Sequence, residues 1–188
     1  SAMIGRDREM ALLRQAMDRV TADRVCYLFT VLGDAGVGKS RLVAEAVREA
    51  GSAVTVLQGR CLPYGQGITF FAVEDVIRQA AGIGLGDSLQ QARGKIASSL
   101  HGEESDSLIA DRICQLLGLS ETAIPTEEIF WAFRKFVEAL GRDRPLLLVL
   151  EDIHWAEPKF LDLIEHVAEW ARDAPILLVC LASNELLA

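Results

Sequence analysis

Residues 33–40 of this chain read GDAGVGKS, and they directly follow the apolar run VCYLFTVL at residues 25–32. The run contains β-branched and aromatic side chains and stops at a glycine, which predicts a strand that is buried on both faces and pairs in parallel. Residues 41–50 carry apolar side chains at helical spacing, and residues 53–57 form a second strand-like segment. A strand, a glycine-rich turn, a helix and a strand in this order predict a βαβ unit.

The rest of the chain continues this alternation. Residues 146–150 and 176–182 are strand-sized apolar runs, and each follows a proline, which is tolerated at the start of a strand. Between the second and third strands, residues 71–140 hold several amphipathic segments, with helix caps expected at Ser88 and Thr126. We therefore predict a three-layer α/β fold with a parallel sheet and a helical insertion between the second and third strands.

Composition limits the classes of function that the chain can serve. Its 188 residues include 19 basic and 27 acidic side chains, for a net charge of −8, and 51% are hydrophobic. These values fit a globular domain and argue against a surface that binds nucleic acid or anionic lipid. No apolar run reaches the ~18 residues of a membrane-spanning helix. The four cysteines are scattered without a CxxC pair, which predicts reduced structural thiols in a cytoplasmic protein.

The segment GDAGVGKS matches G-x-x-x-x-G-K-[ST], the phosphate-binding P-loop, or Walker A motif. Its glycines permit backbone conformations in which successive N–H groups face an anion, and the following helix presents its positive end to the same anion. Lys39 adds a charge for the β- and γ-phosphates, and the Ser40 hydroxyl is a ligand for Mg²⁺. The predicted nucleotide-binding residues are Gly33, Asp34, Ala35, Gly36, Val37, Gly38, Lys39, Ser40 and Arg41.

The third predicted strand ends in two acids, Glu151 and Asp152. Ligands bind at the carboxyl ends of parallel strands, where Ser40 is also expected. Phosphoryl transfer needs carboxylates that hold the metal and that position or deprotonate water. We therefore predict that Ser40, Glu151 and Asp152 form the metal site and that the two acids are catalytic. An acidic cap on the next helix is the alternative interpretation of this pair.

Five segments, taken in order, resemble the nucleotide-binding domain of the STAND class of signal-transduction ATPases, which are relatives of AAA+ proteins. They are IGRDREMALL at residues 4–13, GDAGVGKSRLVAE at 33–45, GRCLPYGQG at 59–67, LVLEDIHWAEP at 148–158 and LLVCLASNELL at 177–187. More narrowly, the chain is similar to the AAA-type ATPase domains of large bacterial regulators with LuxR-type or SARP-type DNA-binding domains, or with adenylate cyclase domains. The resemblance implies a three-layer P-loop NTPase fold of the AAA+/STAND type, with ATP and Mg²⁺ as cofactors.

The resemblance also implies roles for individual residues. It assigns Glu151 and Asp152 to the Walker B position, with Mg²⁺ binding at the first acid and the catalytic base at the second. Because the family often has Asp first, the division of labour between the two acids stays open. Gly5 and Arg6 match a segment that passes near the adenine, and a simple lead-in to the first helix is the alternative.

Five more residues fall in segments that the family shares. Trp155 is expected to pack in the core, and His154 either senses the γ-phosphate or is a buried structural histidine. Ser183 and Asn184 stand where AAA relatives have a polar sensor, although many members have Arg at position 183. Tyr64 lies in a loop that the family keeps, and the sequence suggests no mechanism for it.

Together these features predict an ATP-binding, slowly hydrolysing switch domain, a P-loop ATPase, of a bacterial signal-transduction or transcription regulator. Residues 3–188 are expected to form the ATPase core, as a fragment of a larger protein, and residues 1–2 are typical of a tag remnant. The expected partners are ATP or ADP, neighbouring domains and a second copy in ATP-dependent self-association. Contact with nucleic acid or membrane is not expected. Slow turnover follows because no local arginine is a clear candidate for the charge of the transition state.

Two other functions are compatible with the same motif. One is a P-loop kinase of a small molecule, which would need clustered basic residues to bind its acceptor. Arg93, Lys95 and Arg112 in the helical region are too dispersed along the sequence to suggest such a cluster. The other is a nucleotide-dependent interaction module without hydrolysis, against which the presence of Lys39 and the acid pair argues.

Overall fold

A computed structural model describes residues 7–34, 36–63 and 69–184, and this part of the chain forms four strands and seven α-helices. The strands are β1 (Cys26–Leu32), β2 (Thr55–Arg60), β3 (Leu146–Glu151) and β4 (Ile176–Ala182). The helices are α1 (Asp7–Asp23), α2 (Lys39–Ala50), α3 (Phe71–Ala81), α4 (Leu89–Ser98), α5 (Asp106–Leu116), α6 (Thr126–Asp143) and α7 (Pro158–Trp170). Short 3₁₀ turns occupy Gly51–Ala53 and Ile153–Trp155.

The four strands form one parallel sheet in the order β1-β4-β3-β2. The last residue of β1, Leu32, is opposite Ala182 at the end of β4, and Arg60 at the end of β2 is opposite Glu151 at the end of β3. The carboxyl ends of all four strands therefore meet at one edge of the sheet. The predicted P-loop and the predicted acid pair both follow strands at this edge.

Helices cover both faces of the sheet, which makes three layers. On one face α1 and α2 pack on the alternate side chains of β3 and β4, such as Val149 and Val179. On the other face α3 to α7 pack on the intervening side chains, such as Leu148 and Leu178. The insertion between β2 and β3 consists of α3 to α6. The predicted α/β class, the parallel sheet and the helical insertion are confirmed.

Strand β1 is less buried than its apolar sequence predicts. Tyr27, Leu28 and Leu32 are 41%, 38% and 39% exposed. Within residues 7–34, 36–63 and 69–184, β1 stands at the end of the strand order and pairs only with β4. The expectation of burial on both faces was therefore wrong for this strand, whereas the parallel pairing is confirmed.

The second strand starts later than predicted and extends further. The Gly51–Ala53 turn occupies part of the segment assigned to it, and pairing with β3 continues to Arg60. At its outer edge, the Gln79 side chain of α3 accepts a hydrogen bond from the Gln58 backbone N–H (3.2 Å) and donates one to the Gln58 carbonyl (2.5 Å). This pairing satisfies backbone groups that a strand edge would otherwise expose.

Two helix starts can be compared with their predicted caps. Ser88 caps α4 as expected, because its hydroxyl accepts from the Gln91 N–H while the Gln91 side chain accepts from the Ser88 N–H. Thr126 is not the cap of α6. Pro125 holds the cap position with an extended backbone (φ −59°, ψ 145°), and Thr126 is the first helical residue.

The four cysteines are free thiols, and Cys61, Cys114 and Cys180 are buried. Burial raises the pKa of Cys26, Cys61 and Cys180 to about 12, so these thiols stay protonated near neutral pH. None of the helices in the described ranges combines the length and the apolar composition needed to cross a membrane.

Candidate functional site

Two glycines between β1 and α2 have backbone angles of the kind that a P-loop uses. Gly36 and Gly38 have φ angles of +82° and +88°, in the region that side chains disfavour. Gly38 is the N-cap of α2, and its carbonyl accepts from the Leu42 N–H at 3.0 Å. The loop therefore leads from the carboxyl end of β1 into the first turn of α2. Ala35 lies outside the described residues.

Lys39 folds back over the start of this loop. Its ammonium donates to the carbonyl of Gly33 at 2.5 Å and to the carbonyl of Asp34 at 2.9 Å. Both acceptors are neutral, so these bonds leave the positive charge of Lys39 uncompensated by a carboxylate. An anionic group that enters the loop would form the stronger, charge-assisted bond with this ammonium.

The structure brings Ser40 and the two acids together. The Ser40 hydroxyl donates to Glu151 Oε2 at 3.3 Å, across the gap between α2 and β3. Asp152, the next residue, has a left-handed backbone (φ 58°, ψ 37°), a conformation that Asp tolerates better than most side chains. This kink ends β3 and leaves the Asp152 side chain 42% exposed, against 18% for Glu151.

Arg60, for which the sequence suggested no role, joins this group. Its Nη2 donates to Glu151 Oε2 at 3.0 Å, and its Nε lies 3.5 Å from Asp152 Oδ2. The bond to Glu151 raises the pKa of the guanidinium. The sequence placed Arg60 three residues beyond the predicted second strand, inside the family-like segment at residues 59–67, but its approach to the acids depends on β2 lying beside β3.

Ser183 and Asn184, the residues considered as sensors, contact the P-loop and the turn after the acids. The Asn184 amide donates to Asp34 Oδ1 at 2.7 Å, and the Ser183 N–H donates to His154 Nδ1 at 3.2 Å. Because Nδ1 of His154 accepts this bond, the neutral ring carries its proton on Nε2. These contacts connect the end of β4 with the P-loop on one side and with the turn after the acids on the other.

The remaining predicted residues fall into three groups. Trp155 does not pack in the core as expected, since it is 42% exposed and Ile153 is the buried residue of the same turn. Arg41 lies exposed in the first turn of α2. Gly5, Arg6 and Tyr64 lie outside the described residues.

The donor set at the sheet edge fits Mg²⁺ together with a phosphate ligand. Within residues 7–34, 36–63 and 69–184, no group of three or more His, Cys, Asp or Glu side chains is arranged to hold a metal alone. Mg²⁺ is usually bound through one or two carboxylates, with substrate phosphates and water as the other ligands. The Ser40 hydroxyl and the neighbouring carboxylates of Glu151 and Asp152 are donors of this kind.

Comparison with known proteins agrees with this geometry. The sequence profile of the family described as AAA ATPase domain matches residues 2–179. The chain belongs to this family. As an AAA ATPase domain it has the P-loop NTPase fold, and nucleotide binding is the activity that membership implies.

A similar protein in Rhizobium meliloti (strain 1021) is much longer than this chain. That protein, described only as uncharacterized, is 28% identical over 186 residues. The alignment covers 94% of this chain and 18% of the relative. The chain thus spans less than a fifth of the length of the protein that it matches.

Proposed function

We propose that this AAA ATPase domain binds Mg·ATP at the edge of the sheet, hydrolyses it slowly and acts as a nucleotide-dependent switch. The contact between Ser40 Oγ and Glu151 Oε2 at 3.3 Å carries the proposal. It joins the last residue of a phosphate-binding loop to the carboxylate of a strand end, which is the pairing that a nucleotide-bound metal needs.

Each residue at this edge has a task in the proposed reaction. Lys39 exchanges its bonds to the loop carbonyls for bonds to the β- and γ-phosphates. Ser40 and Glu151 would hold the metal, which when bound would neutralise charge and orient the phosphates. Asp152, the more exposed acid, orients the attacking water and accepts its proton on a carboxylate oxygen.

Slow hydrolysis suits a switch, since a long-lived ATP state lets neighbouring domains respond to the nucleotide. In many such enzymes an arginine from another domain or subunit accelerates the reaction by ~10³–10⁵. We infer that the isolated domain lacks that contribution. Its turnover is therefore expected to stay well below the ~1–100 s⁻¹ of kinases.

We further propose that the domain belongs to a large bacterial regulator of signalling or transcription, of the STAND type. The five segments that resemble the family and follow its order support this. A relative whose matching region is only 18% of its own length supports it as well. Neighbouring domains, and a second copy in the ATP-bound state, would be its protein partners in the cytoplasm. The net charge of −8 argues against direct contact of this domain with nucleic acid.

The contacts of the basic residues in the helical insertion weigh against the kinase alternative. Arg93 pairs with Asp111, Lys95 with Asp87 and Arg112 with Glu128. Because these three cations form ion pairs within the insertion, they do not form a basic cluster that could bind an acidic acceptor. A module that binds without hydrolysis differs from the proposed switch only in phosphate release.

Calorimetric titration with ATP in Mg²⁺ tests the proposal. Lys39→Ala is expected to lower the affinity roughly 10- to 100-fold, since a hydrogen bond to a charged group contributes about 1.5–3 kcal/mol. Lys95→Ala removes the same charge from the insertion and serves as the matched control, with unchanged affinity. Equal affinity in wild type and Lys39→Ala would contradict nucleotide binding at this loop. A steady-state phosphate-release assay then separates slow hydrolysis from none.

A further inference from the structure

Arg60 is held by the two carboxylates on which the proposed metal and water chemistry depends. Its guanidinium lies 3.0 Å from Glu151 Oε2 and 3.5 Å from Asp152 Oδ2. The parallel register places Arg60 directly opposite Glu151, and the Cys61 N–H donates to the Glu151 carbonyl at 2.9 Å. The side chain of Arg60 is therefore paired with both acids, and the backbone of the next residue, Cys61, is hydrogen-bonded to Glu151.

One carboxylate oxygen serves two groups in this arrangement. Glu151 Oε2 accepts from Arg60 Nη2 and also from Ser40 Oγ. A divalent cation coordinated by Ser40 and Glu151 would need the same oxygen. Two cations at one carboxylate repel each other, so the metal that accompanies a nucleotide displaces the guanidinium. The side chain of Arg60 is 60% exposed, which leaves it room to move.

The displaced guanidinium has an anionic partner nearby. ATP in the P-loop would hold its γ-phosphate next to Lys39 and Ser40, and Ser40 is separated from Arg60 only by the shared Glu151 oxygen. The planar fork of arginine matches phosphate oxygens better than a lysine ammonium does. A diphosphate would end before this position, so the new partner exists for ATP and not for ADP.

We propose that Arg60 senses the terminal phosphate: its guanidinium pairs with Glu151 and Asp152 in the nucleotide-free domain and moves to the γ-phosphate when Mg·ATP takes the acid pair. This inference rests on the proposed function, because it assumes that Mg·ATP binds at this edge. It gives the switch a moving part that differs between the ATP and ADP states. The exchange also changes how the end of β2 is attached to the site.

The test compares ATP and ADP affinity by calorimetry in Mg²⁺, for wild type and Arg60→Ala. In Arg60→Ala the ratio of ATP affinity to ADP affinity is expected to fall roughly 10-fold, because a charge-assisted bond to the γ-phosphate is lost, while ADP affinity does not fall because the guanidinium no longer competes with its Mg²⁺. Arg60→Lys keeps the charge without the fork and is expected to retain part of the preference for ATP. Arg93→Ala removes an equally charged, ion-paired side chain from α4 and leaves both affinities unchanged.

A second readout uses the metal alone. Without nucleotide, Arg60→Ala is expected to bind Mn²⁺ more tightly than wild type in an electron paramagnetic resonance titration, because the competing guanidinium is gone. An equal loss of ATP and ADP affinity, or an unchanged ratio between them, would overturn the sensor role. Failure of wild type to bind Mg·ATP would instead overturn the proposed function. Arg60→Gln repeats the comparison with a side chain closer in size, should the alanine variant melt at a lower temperature.

Discussion

Arg60 and Glu151 are register partners at the ends of β2 and β3, and their side chains form an ion pair at 3.0 Å. The Glu151 oxygen that accepts from Arg60 also accepts from Ser40 at the start of α2. A single carboxylate oxygen thus connects two strands of the sheet with the P-loop helix. When this oxygen takes another partner, Arg60 of β2 and Ser40 of α2 each lose a hydrogen bond to Glu151 of β3.

Asp152→Asn and Glu151→Gln are expected to have different effects. If Asp152 accepts the proton of water, its amide variant keeps Mg·ATP binding and loses turnover, since an amide is not a base. If Glu151 holds the metal, its variant weakens the dependence of ATP affinity on Mg²⁺. Calorimetry with and without Mg²⁺, together with phosphate release, measures both effects. Exchanged phenotypes would show that the two acids have the opposite roles.

Gly59→Ala is expected to destabilise the domain by about 1–3 kcal/mol, because the added methyl group overpacks this site and forces the backbone to shift. A Cβ at Gly59 would lie 2.3 Å from the Ala72 carbonyl oxygen, at the start of α3. Gly94 is the matched control, since it is exposed in α4 and a Cβ there meets nothing within 4 Å. Gly94→Ala should raise stability by up to about 1 kcal/mol through helix propensity. Urea denaturation measures both; equal effects would contradict the close approach.

Glu138→Ala is expected to cost about 3–5 kcal/mol of unfolding free energy, the range for breaking a buried ion pair. The Glu138 side chain is 2% exposed, and its Oε1 accepts from Arg134 Nη1 at 2.8 Å and from the Arg172 N–H at 3.1 Å. Its removal leaves the charge of Arg134, only 16% exposed, without this partner.

The control for Glu138 is a glutamate in an exposed ion pair. Glu103 is 56% exposed and pairs with Arg142 at 2.6 Å. Glu103→Ala should cost less than about 1 kcal/mol, as exposed pairs do. Similar losses in the two variants, measured by urea denaturation, would show that the Glu138 pairs contribute little despite their burial.

His166 is expected to make stability depend on pH. Burial, followed by the charge of Arg134, lowers the pKa of His166 from its ordinary 6.5. Arg134 Nε also donates to His166 Nε2 at 3.3 Å, which requires an unprotonated nitrogen. The unfolded chain therefore takes up the proton first as pH falls, so the contribution of His166 is complete above pH 6.5 and is lost below it.

His166→Gln removes this titration. Between pH about 8 and about 5, where histidine changes charge, wild type should lose more unfolding free energy than the variant. Denaturation curves at several pH values give the difference between the two proteins. A difference that stays constant over this range would show that His166 does not titrate differently in the folded and unfolded chains.

Much of the fold and the core of the candidate site could be predicted from local sequence. The P-loop is a contiguous motif, and its glycines report directly on backbone angles that Gly36 and Gly38 adopt. Residues 146–150 of β3 and 176–182 of β4 are apolar at every position, which is typical of strands that are covered on both faces. Glu151 and Asp152 could be placed because the carboxyl ends of parallel strands share one edge.

What the tertiary structure alone decided was which segments become neighbours. The position of β2 beside β3 brings Arg60 to the acid pair, and the place of β1 at the end of the strand order leaves Leu28 exposed despite its apolar surroundings in sequence. Trp155 is exposed for a related reason, since the turn after β3 buries Ile153 instead. The hydrophobic pattern of one segment indicates how far that segment can be buried. Which segments become its neighbours depends on packing between parts of the chain that are distant in sequence.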